Sequence, residues 1–503
     1  MKTIISSGKK VVALAAVCMT SLMFGLEISS VPVILPSLEK IMGSSFAEIQ
    51  WIMNAYTIAC TTVLMATGTL ADRFGRKKLY IISITIFGFT SLACGLAHSA
   101  FWLIVSRFLQ GIGGGAMLIC QIAVLSQQFR EGRERAFAFG MWGIVFGAGL
   151  GFGPVIGAAI MAVSNWKWVF LIHAPISLVA LLLVFNGVGE SRDPDAGVLD
   201  IPGMILLSIT VLGLTFFITQ GPELGFTSYA GIGIITAAVV SFLLFLRVEK
   251  NSANPMFDFS VFRIRSFSGA LLGSMGMNFS FWPFMIYFPI YYQLGLGYDV
   301  VATGVSLLAY TLPTLIVPPL AERLTLRYRP GVIIPLGMFT IGLGFILMKY
   351  GIGVEHASWV TIFPGALLAG AGLGLTNTPV TNTTTSSIPE TQAGMASGID
   401  MSARLITLAI NIALMGFILV EGIYSYLHTS FPSTADAIQL HRLAEKMASG
   451  SMTSDPSALN TTRSLIRPAL THGFEWVMLY AGIGVWALAG VSFWIFGTTT
   501  RKK

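Results

Sequence analysis

Two ionisable side chains stand inside long apolar runs of this sequence: Glu27, within Phe24-Gly-Leu-Glu27-Ile, and Arg107, within Ile104-Val-Ser-Arg107-Phe. A charge at the hydrocarbon centre of a bilayer costs about 2.5–3.5 kcal/mol on insertion scales, so such residues persist where they pair or titrate. Counted inward from Pro36 at about 1.5 Å per residue, Glu27 lies roughly 13 Å below the end of its run, and Arg107, counted from Ala100, roughly 10 Å deep. The two can therefore meet at one level. Burial disfavours charge on Glu27 while a neighbouring guanidinium favours it, so the acid could switch protonation state as its surroundings open and close. The plainer alternatives are a static ion pair for Glu27 and snorkelling of Arg107 towards the headgroups.

The elements that must position these residues follow from composition. Of 503 residues, 54% are hydrophobic and 11% charged, and the mean hydropathy is +0.77, values that place the chain in a bilayer. Fourteen stretches are long enough to cross ~30 Å of hydrocarbon as helices, at 11–36, 48–70, 77–98, 101–126, 136–163, 167–187, 201–219, 230–247, 266–292, 301–320, 332–350, 359–385, 396–421 and 474–497. The first is kept as a span, because it runs on through Glu27 and Pro32 with no small-residue cleavage pattern. Cys18, Cys60, Cys94 and Cys120 all fall in apolar segments, which suggests neither a disulfide framework nor a metal site.

The net charge of +7 is explained by its distribution rather than by nucleic acid. Lys9, Lys10, Arg73, Arg76, Lys77, Lys78, Arg130, Arg133, Arg263, Arg265, Arg323, Arg327 and Arg329 all gather on one side of the alternating spans. Arg404, just inside the thirteenth stretch, counts with them. By the positive-inside rule that side is cytoplasmic, with both termini, in a multi-pass protein of the plasma membrane (the bacterial inner membrane). No phosphate-binding loop of the Gly-x-x-x-x-Gly-Lys-Ser/Thr type occurs, so no nucleotide or other cofactor is expected.

One basic loop is written twice. Leu70-Ala-Asp72-Arg73-Phe-Gly75-Arg76-Lys77, preceded by Gly68, returns in worn form as Leu320-Ala-Glu322-Arg323-Leu-Thr-Leu-Arg327. A repeat in the same orientation indicates two parallel halves with a site between them. Eight stretches separate the copies where a simple duplication needs six, and the surplus is the pair at 201–219 and 230–247. It lies between a polar stretch, Glu190 to Gly197, and an amphipathic one, Asn254 to Arg263. The expected organisation is an all-α membrane protein with a six-helix bundle at 1–187, an inserted two-helix segment with linkers at 188–265, and a second six-helix bundle at 266–503. The outer excursion at 422–472 reads as a solvated cap with an amphipathic helix around Ala435 to Ala448.

The fifth stretch carries Gly140, Gly149, Gly153-Pro154 and Gly157-Ala158. Glycines admit a neighbouring helix closely and Pro154 removes a backbone hydrogen bond; small-residue packing alone is the bland reading. With this spacing the chain resembles the drug:proton antiporters of the major facilitator superfamily, in their fourteen-helix branch, whose motif ends in Gly where Ala158 stands. Gly68 to Lys78, Arg107-Phe-Leu-Gln110-Gly111, Trp166-Lys-Trp168, Pro289-Ile-Tyr-Tyr-Gln293 and Gly370-Ala-Gly-Leu-Gly374 are similar to that branch. Departures are Glu27 for the usual Asp, Lys167 for Arg, His173 for Asn, and Leu405-Ile-Thr-Leu for a Gly-rich run.

The resemblance implies a fold of two rocking bundles that exchange protons for small amphipathic or cationic compounds, with Glu27 and Arg107 as the coupling pair. It also implies that Asp72 sits at the N-terminal end of a helix of the opposite half, near Gly394 to Gly398, while Arg73, Arg76 and Lys77 reach nearby acids. Asn54, Tyr56, Gln110, Trp142, Asn278, Trp282 and Asn377 are candidates for the cavity wall, and Asn382 is a further polar group in an apolar run. Small-molecule substrate, protons and lipid are the expected partners, with room for an envelope-spanning export partner. An exporter of a single metabolite such as a siderophore is the rival on the same scaffold; a non-transporting receptor or scaffold is the rival from another class. The topology has a direct check: on a cysteine-free background, a cysteine at Thr69 should need a membrane-permeant reagent for labelling and one at Ser451 should not.

Overall fold

The computed structural model describes residues 8–42, 46–130, 132–192, 200–251, 259–389, 392–430, 437–449 and 459–497. Hydrocarbon offers no partner for backbone N–H and C=O groups, and the chain answers with helices that satisfy them internally. In order they are α1 (Gly8–Met42), α2 (Phe46–Phe74), α3 (Arg76–Gly95), α4 (Ala100–Gln128), α5 (Gly132–Val163), α6 (Lys167–Leu171), α7 (His173–Gly187), α8 (Ile201–Leu224) and α9 (Tyr229–Asn251). There follow α10 (Arg265–Met277), α11 (Phe281–Ile290), α12 (Val300–Tyr328), α13 (Pro330–Gly353), α14 (Trp359–Ser386), α15 (Ala393–Ser430), α16 (Ala437–Ser449) and α17 (Leu459–Phe496). Side chains cap several of the starts: Asp200 accepts from Gly203 N at 2.9 Å, Asp299 from Ala302 N at 2.6 Å, and Ser358 with Thr361 forms a capping box.

These helices make fourteen crossings. Twelve are long and apolar enough by themselves to span a membrane, α6 and α7 counting as one. The remaining two are α2 and the ninth crossing, which breaks after Asn278, resumes as α11 and ends in a π-helical turn at Tyr291–Gly295. Two six-helix bundles and an inserted pair result. The pair, α8 and α9, lies against α2: Ser208 Oγ donates to Thr62 O at 3.4 Å, and the Trp51 and Phe216 rings meet at 5.4 Å. Of the amphipathic stretch that follows the pair, residues 259–263 form a 3₁₀ turn and the rest lies outside the described residues.

Helix α16 is more than the solvated cap that its polarity suggests. Leu440, Ala444, Met447 and Ala448 lie on one side of it, at helical spacing, and are buried in the core of the second bundle.

The glycines of α5 sort onto two faces. An added Cβ on Gly149 would lie 2.8 Å from Leu22 O, and one on Gly157 would lie 3.0 Å from Ser30 O, both on α1. Ser29 Oγ donates to Gly149 O at 3.0 Å across the same seam, beside Gly153. On the other face Gly140, Gly147 and Gly151 meet Pro319, Thr314 and Thr311 of α12. Gly140 therefore belongs to a contact between the bundles, separate from the motif's other glycines, and Gly147 and Gly151 share that contact although the motif omits them. Half-buried Pro154 sits within the helix between these contacts. Since backbone atoms form the wall at Gly149, Gly149→Ala should lower stability by about 1–3 kcal/mol. Gly233→Ala, with nothing within 4 Å, is the control; heated samples compared by size-exclusion chromatography report the difference.

Candidate functional site

The first bundle buries a charge network. Glu27 and Arg107 are both 0% exposed, and Arg107 Nη1 donates to Glu27 Oε1. The same Nη1 donates to Gln110 Oε1 at 2.8 Å, and Nε donates to Ile52 O at 3.0 Å. Gln110 Nε2 in turn donates to Ser91 Oγ at 2.8 Å. The guanidinium lies 4.3 Å from the centre of the Tyr56 ring, a cation–π contact strengthened by the absence of water. Helix α4 can come this close to α2 because Gly115 leaves its backbone open; a Cβ there would lie 2.6 Å from Cys60 O. A third ionisable group joins from α7, with His173 Nδ1 standing 3.3 Å from Glu27 Oε2. Above the pair, on the side away from the basic loops, Val31, Ile34, Leu38, Ile52, Leu103, Trp166 and Phe170 form an apolar plug.

The expected cavity residues separate. Gln110 is a fully buried partner of Arg107, placed by its one-turn spacing from that residue. Tyr56, Phe24, Phe146 and Trp142 form a run of rings from the ion pair towards the middle of the molecule, with Trp142 stacked on Phe146 at 5.4 Å. Asn54 is half-buried, and the Trp282 side chain lies outside the described residues.

Asn278 and Asn377 serve a second buried ion pair, between Asp400 and Arg404 one turn apart on α15, at 3.1 Å. Asn278 Nδ2 donates to Arg404 O at 2.8 Å, and Asn377 Oδ1 accepts from Arg404 Nη1. Asp400 accepts from Ser274 Oγ and, at 3.1 Å, from Thr381 Oγ1. Such a set of partners is what keeps a desolvated pair tolerable. Arg404, counted above with the basic loops, is only 8% exposed. The Asp-x-x-x-Arg spacing in an apolar run was the available signal.

At the basic-loop face the bundles are tied twice. Asp72 accepts from Gly394 N at 3.3 Å and Met395 N at 3.2 Å, in the first turn of α15, where backbone N–H groups have no helical partner. Its Oδ1 also accepts from Arg76 Nε at 3.0 Å and Nη2 at 2.8 Å. Gly68 permits the approach, since a Cβ there would lie 2.5 Å from Gly394 O. Gly75 turns the chain at φ +112°. The Arg73 guanidinium lies 5.7 Å from the Phe74 ring centre, and Lys77 Nζ donates to Phe185 O at 2.9 Å. The acid at this loop, Glu190, accepts from the backbone N–H groups of Lys77 and Lys78 at 3.1 Å each, so it caps α3.

The second tie mirrors the first. Glu322, in the worn repeat, accepts from Asn382 Nδ2 at 2.7 Å, and Asn382 Oδ1 accepts from Arg135 Nε of α5 at 2.5 Å. Arg135 Nη2 also donates to Thr385 Oγ1 at 2.7 Å.

Fourteen crossings in two related bundles, with buried charge between helices and paired ties at one end, are the architecture of a membrane transporter. The chain belongs to the Major Facilitator Superfamily, whose family model matches residues 17–412. Among its relatives is the multidrug resistance protein Stp of Mycobacterium tuberculosis, 30% identical over 424 residues covering 84% of this chain and 78% of that one. The tetracenomycin C resistance and export protein of Streptomyces glaucescens is 28% identical over 81% of this chain and 76% of its own. The quinolone resistance protein NorB of Staphylococcus aureus is 28% identical over 80% and 87%. The fold is shared with the human organic anion transporter MFSD10 (TM-score 0.64, 12% identity, 97% of this chain and 99% of that one) and the proton:xylose symporter XylE (0.59, 14%, 88% and 94%).

Asp72→Asn removes a charge at a helix N-terminus, an effect of about 0.3–2 kcal/mol, and leaves Arg76 without its carboxylate. Transport should fall severalfold at unchanged expression, measured as dye efflux from cells with matched amounts of protein.

Proposed function

We propose that this protein is a proton-driven exporter of small amphipathic or cationic compounds, of the multidrug efflux kind, in the bacterial inner membrane with its basic loops and both termini in the cytoplasm. The observation that carries this reading is the fully buried Glu27–Arg107 pair. Its carboxylate can be neutralised by a proton or held by a cation, and the two compete for it. With Glu27 charged, the pair is neutral as a whole and the water-excluding plug can close over it. Protonation leaves Arg107 with excess charge in an apolar interior, which favours rearrangement until water or a substrate's departure relieves it.

The aromatic run from Tyr56 to Trp142 offers faces to a flat or cationic compound on its way to the acid. The names of Stp, NorB and the tetracenomycin exporter support a substrate drawn from drugs and drug-like metabolites. Bundles at 1–187 and 266–503 would rock about the α5–α12 contact, with 188–265 as a passenger. Among the described residues, Asp72 and Arg135 make hydrogen bonds between the two bundles at the basic-loop face. On this orientation they latch the cytoplasmic side shut.

Glu27→Gln keeps the shape and removes the titration. In proteoliposomes, uphill export driven by a pH gradient should be lost while downhill substrate flux survives; Glu27→Asp should retain part of the coupled activity. Undiminished uphill export by Glu27→Gln would move coupling to another residue.

A further inference from the structure

The coupling pair uses one of Glu27's two oxygens. Arg107 takes Oε1, and Oε2, buried, has no hydrogen bond among the described residues. Its neighbour is His173, 1% exposed, whose two ring nitrogens also lack a hydrogen bond there. A buried polar atom left unpaired costs about 1–3 kcal/mol, and such atoms are few in folded proteins. Here Glu27 Oε2 and both His173 nitrogens lie together, and Tyr56 Oη and Arg107 Nη2 of the same network are also unpartnered among the described residues. The ring is held edge-on by Phe87, with centroids at 5.7 Å, and nearby Ser177 is committed to the His173 carbonyl, to which its hydroxyl donates at 2.8 Å. Among the described residues, the ion-pairing partner of the imidazole is Glu27 Oε2, at 3.3 Å.

We propose that His173 is the relay through which the proton reaches and leaves Glu27. This rests on the reading of Glu27 as the proton carrier. In the tautomer with hydrogen on Nδ1, Nε2 presents its lone pair away from the acid. A proton arriving from water binds Nε2, and Nδ1 passes its own proton to Oε2. The N–H bond at Nδ1 breaks as the O–H bond forms. The ring is again neutral, now with hydrogen on Nε2, and Glu27 is neutral too. Run backwards on the other side of the membrane, the sequence restores both groups.

The transfer itself moves no net charge within the buried volume. Charged Glu27 with Arg107 and an imidazolium carries the same total as neutral Glu27 with Arg107 and imidazole. Among the described residues, further titratable groups around the network are Tyr56 from α2 and Cys94 from α3. An amide at position 173 could orient the acid equally well but could not pass a proton, and this separates a relay from a purely structural contact.

The test uses the full-length protein in proteoliposomes with ethidium as the probe and an imposed pH gradient. His173→Asn should lower the initial rate of uphill ethidium transport at least about tenfold, as for loss of a positioned acid–base group. The solvent deuterium isotope effect on that rate should change, while the final accumulation ratio and ethidium binding in detergent stay as in the wild type. His173→Gln, measured in the same way, covers a failure of the first variant to fold. Unchanged rates and isotope effect in a folded variant would falsify the relay and leave His173 as a support for Glu27. A collapsed accumulation ratio would overturn it as well, by making His173 the coupled site. Glu27→Gln in parallel separates the two claims: if that variant is uncoupled while His173→Asn is normal, the carrier stands and the relay falls. If Glu27→Gln still exports uphill, the carrier reading has failed first.

Discussion

A charge inside hydrocarbon has to find its partner within the protein, and much of the first bundle is arranged to meet that demand for Glu27. Arg107 answers it from α4, and Arg107 is itself held by Gln110, the Ile52 carbonyl and the Tyr56 ring. Those contacts need α4 close to α2, which is why glycine rather than a larger residue stands at 115. The plug of Val31, Leu103, Trp166 and Phe170 then removes the water that would otherwise weaken the pair. Plug and helix spacing thus both answer to one desolvated ion pair.

The rocking proposed for the two bundles would place a different requirement on the scaffold, and α5 meets it. One row of its glycines seats α1 within the same bundle; the other row seats α12 of the opposite bundle. Contacts made of backbone and small side chains are short, smooth and poor in interlocking rotamers. A surface of that kind suits two bodies that must stay in contact while turning, and the hydrogen-bonded ties at Asp72 and Arg135 are confined to one end of it.

Much of this was legible in the sequence because membrane helices are regular. A fixed rise per residue carries a depth count over about seven to nine residues with little error, so Glu27 and Arg107 could be set at one level from their distances to Pro36 and Ala100. The repeat at Leu320–Arg327 likewise announced Glu322 as the counterpart of Asp72. What failed to show were relations between helix faces. Gly140 and Gly149 look like members of one motif, yet the rotation between them turns one towards α12 and the other towards α1. His173 belongs to a network only because α7 packs on α1 and α3, and nothing in its neighbours along the chain says so. Arg404 was missed for another reason: it lies near a segment boundary, where a basic residue reads as a loop charge, and its acid is four residues away on the same helix.

The sequence separations of the two buried pairs differ in a way that matters before the protein is finished. Asp400 and Arg404 share one turn of α15 and leave the ribosome together, so that pair enters the membrane already neutral overall. Arg107 follows Glu27 by 80 residues. At synthesis rates of about 5–20 residues per second, the acid of α1 waits roughly 4–16 seconds for its cation. During that wait the Glu27 carboxyl weighs about 2.5–3.5 kcal/mol against the placement of α1 in lipid, a cost that the arrival of the fourth span lifts.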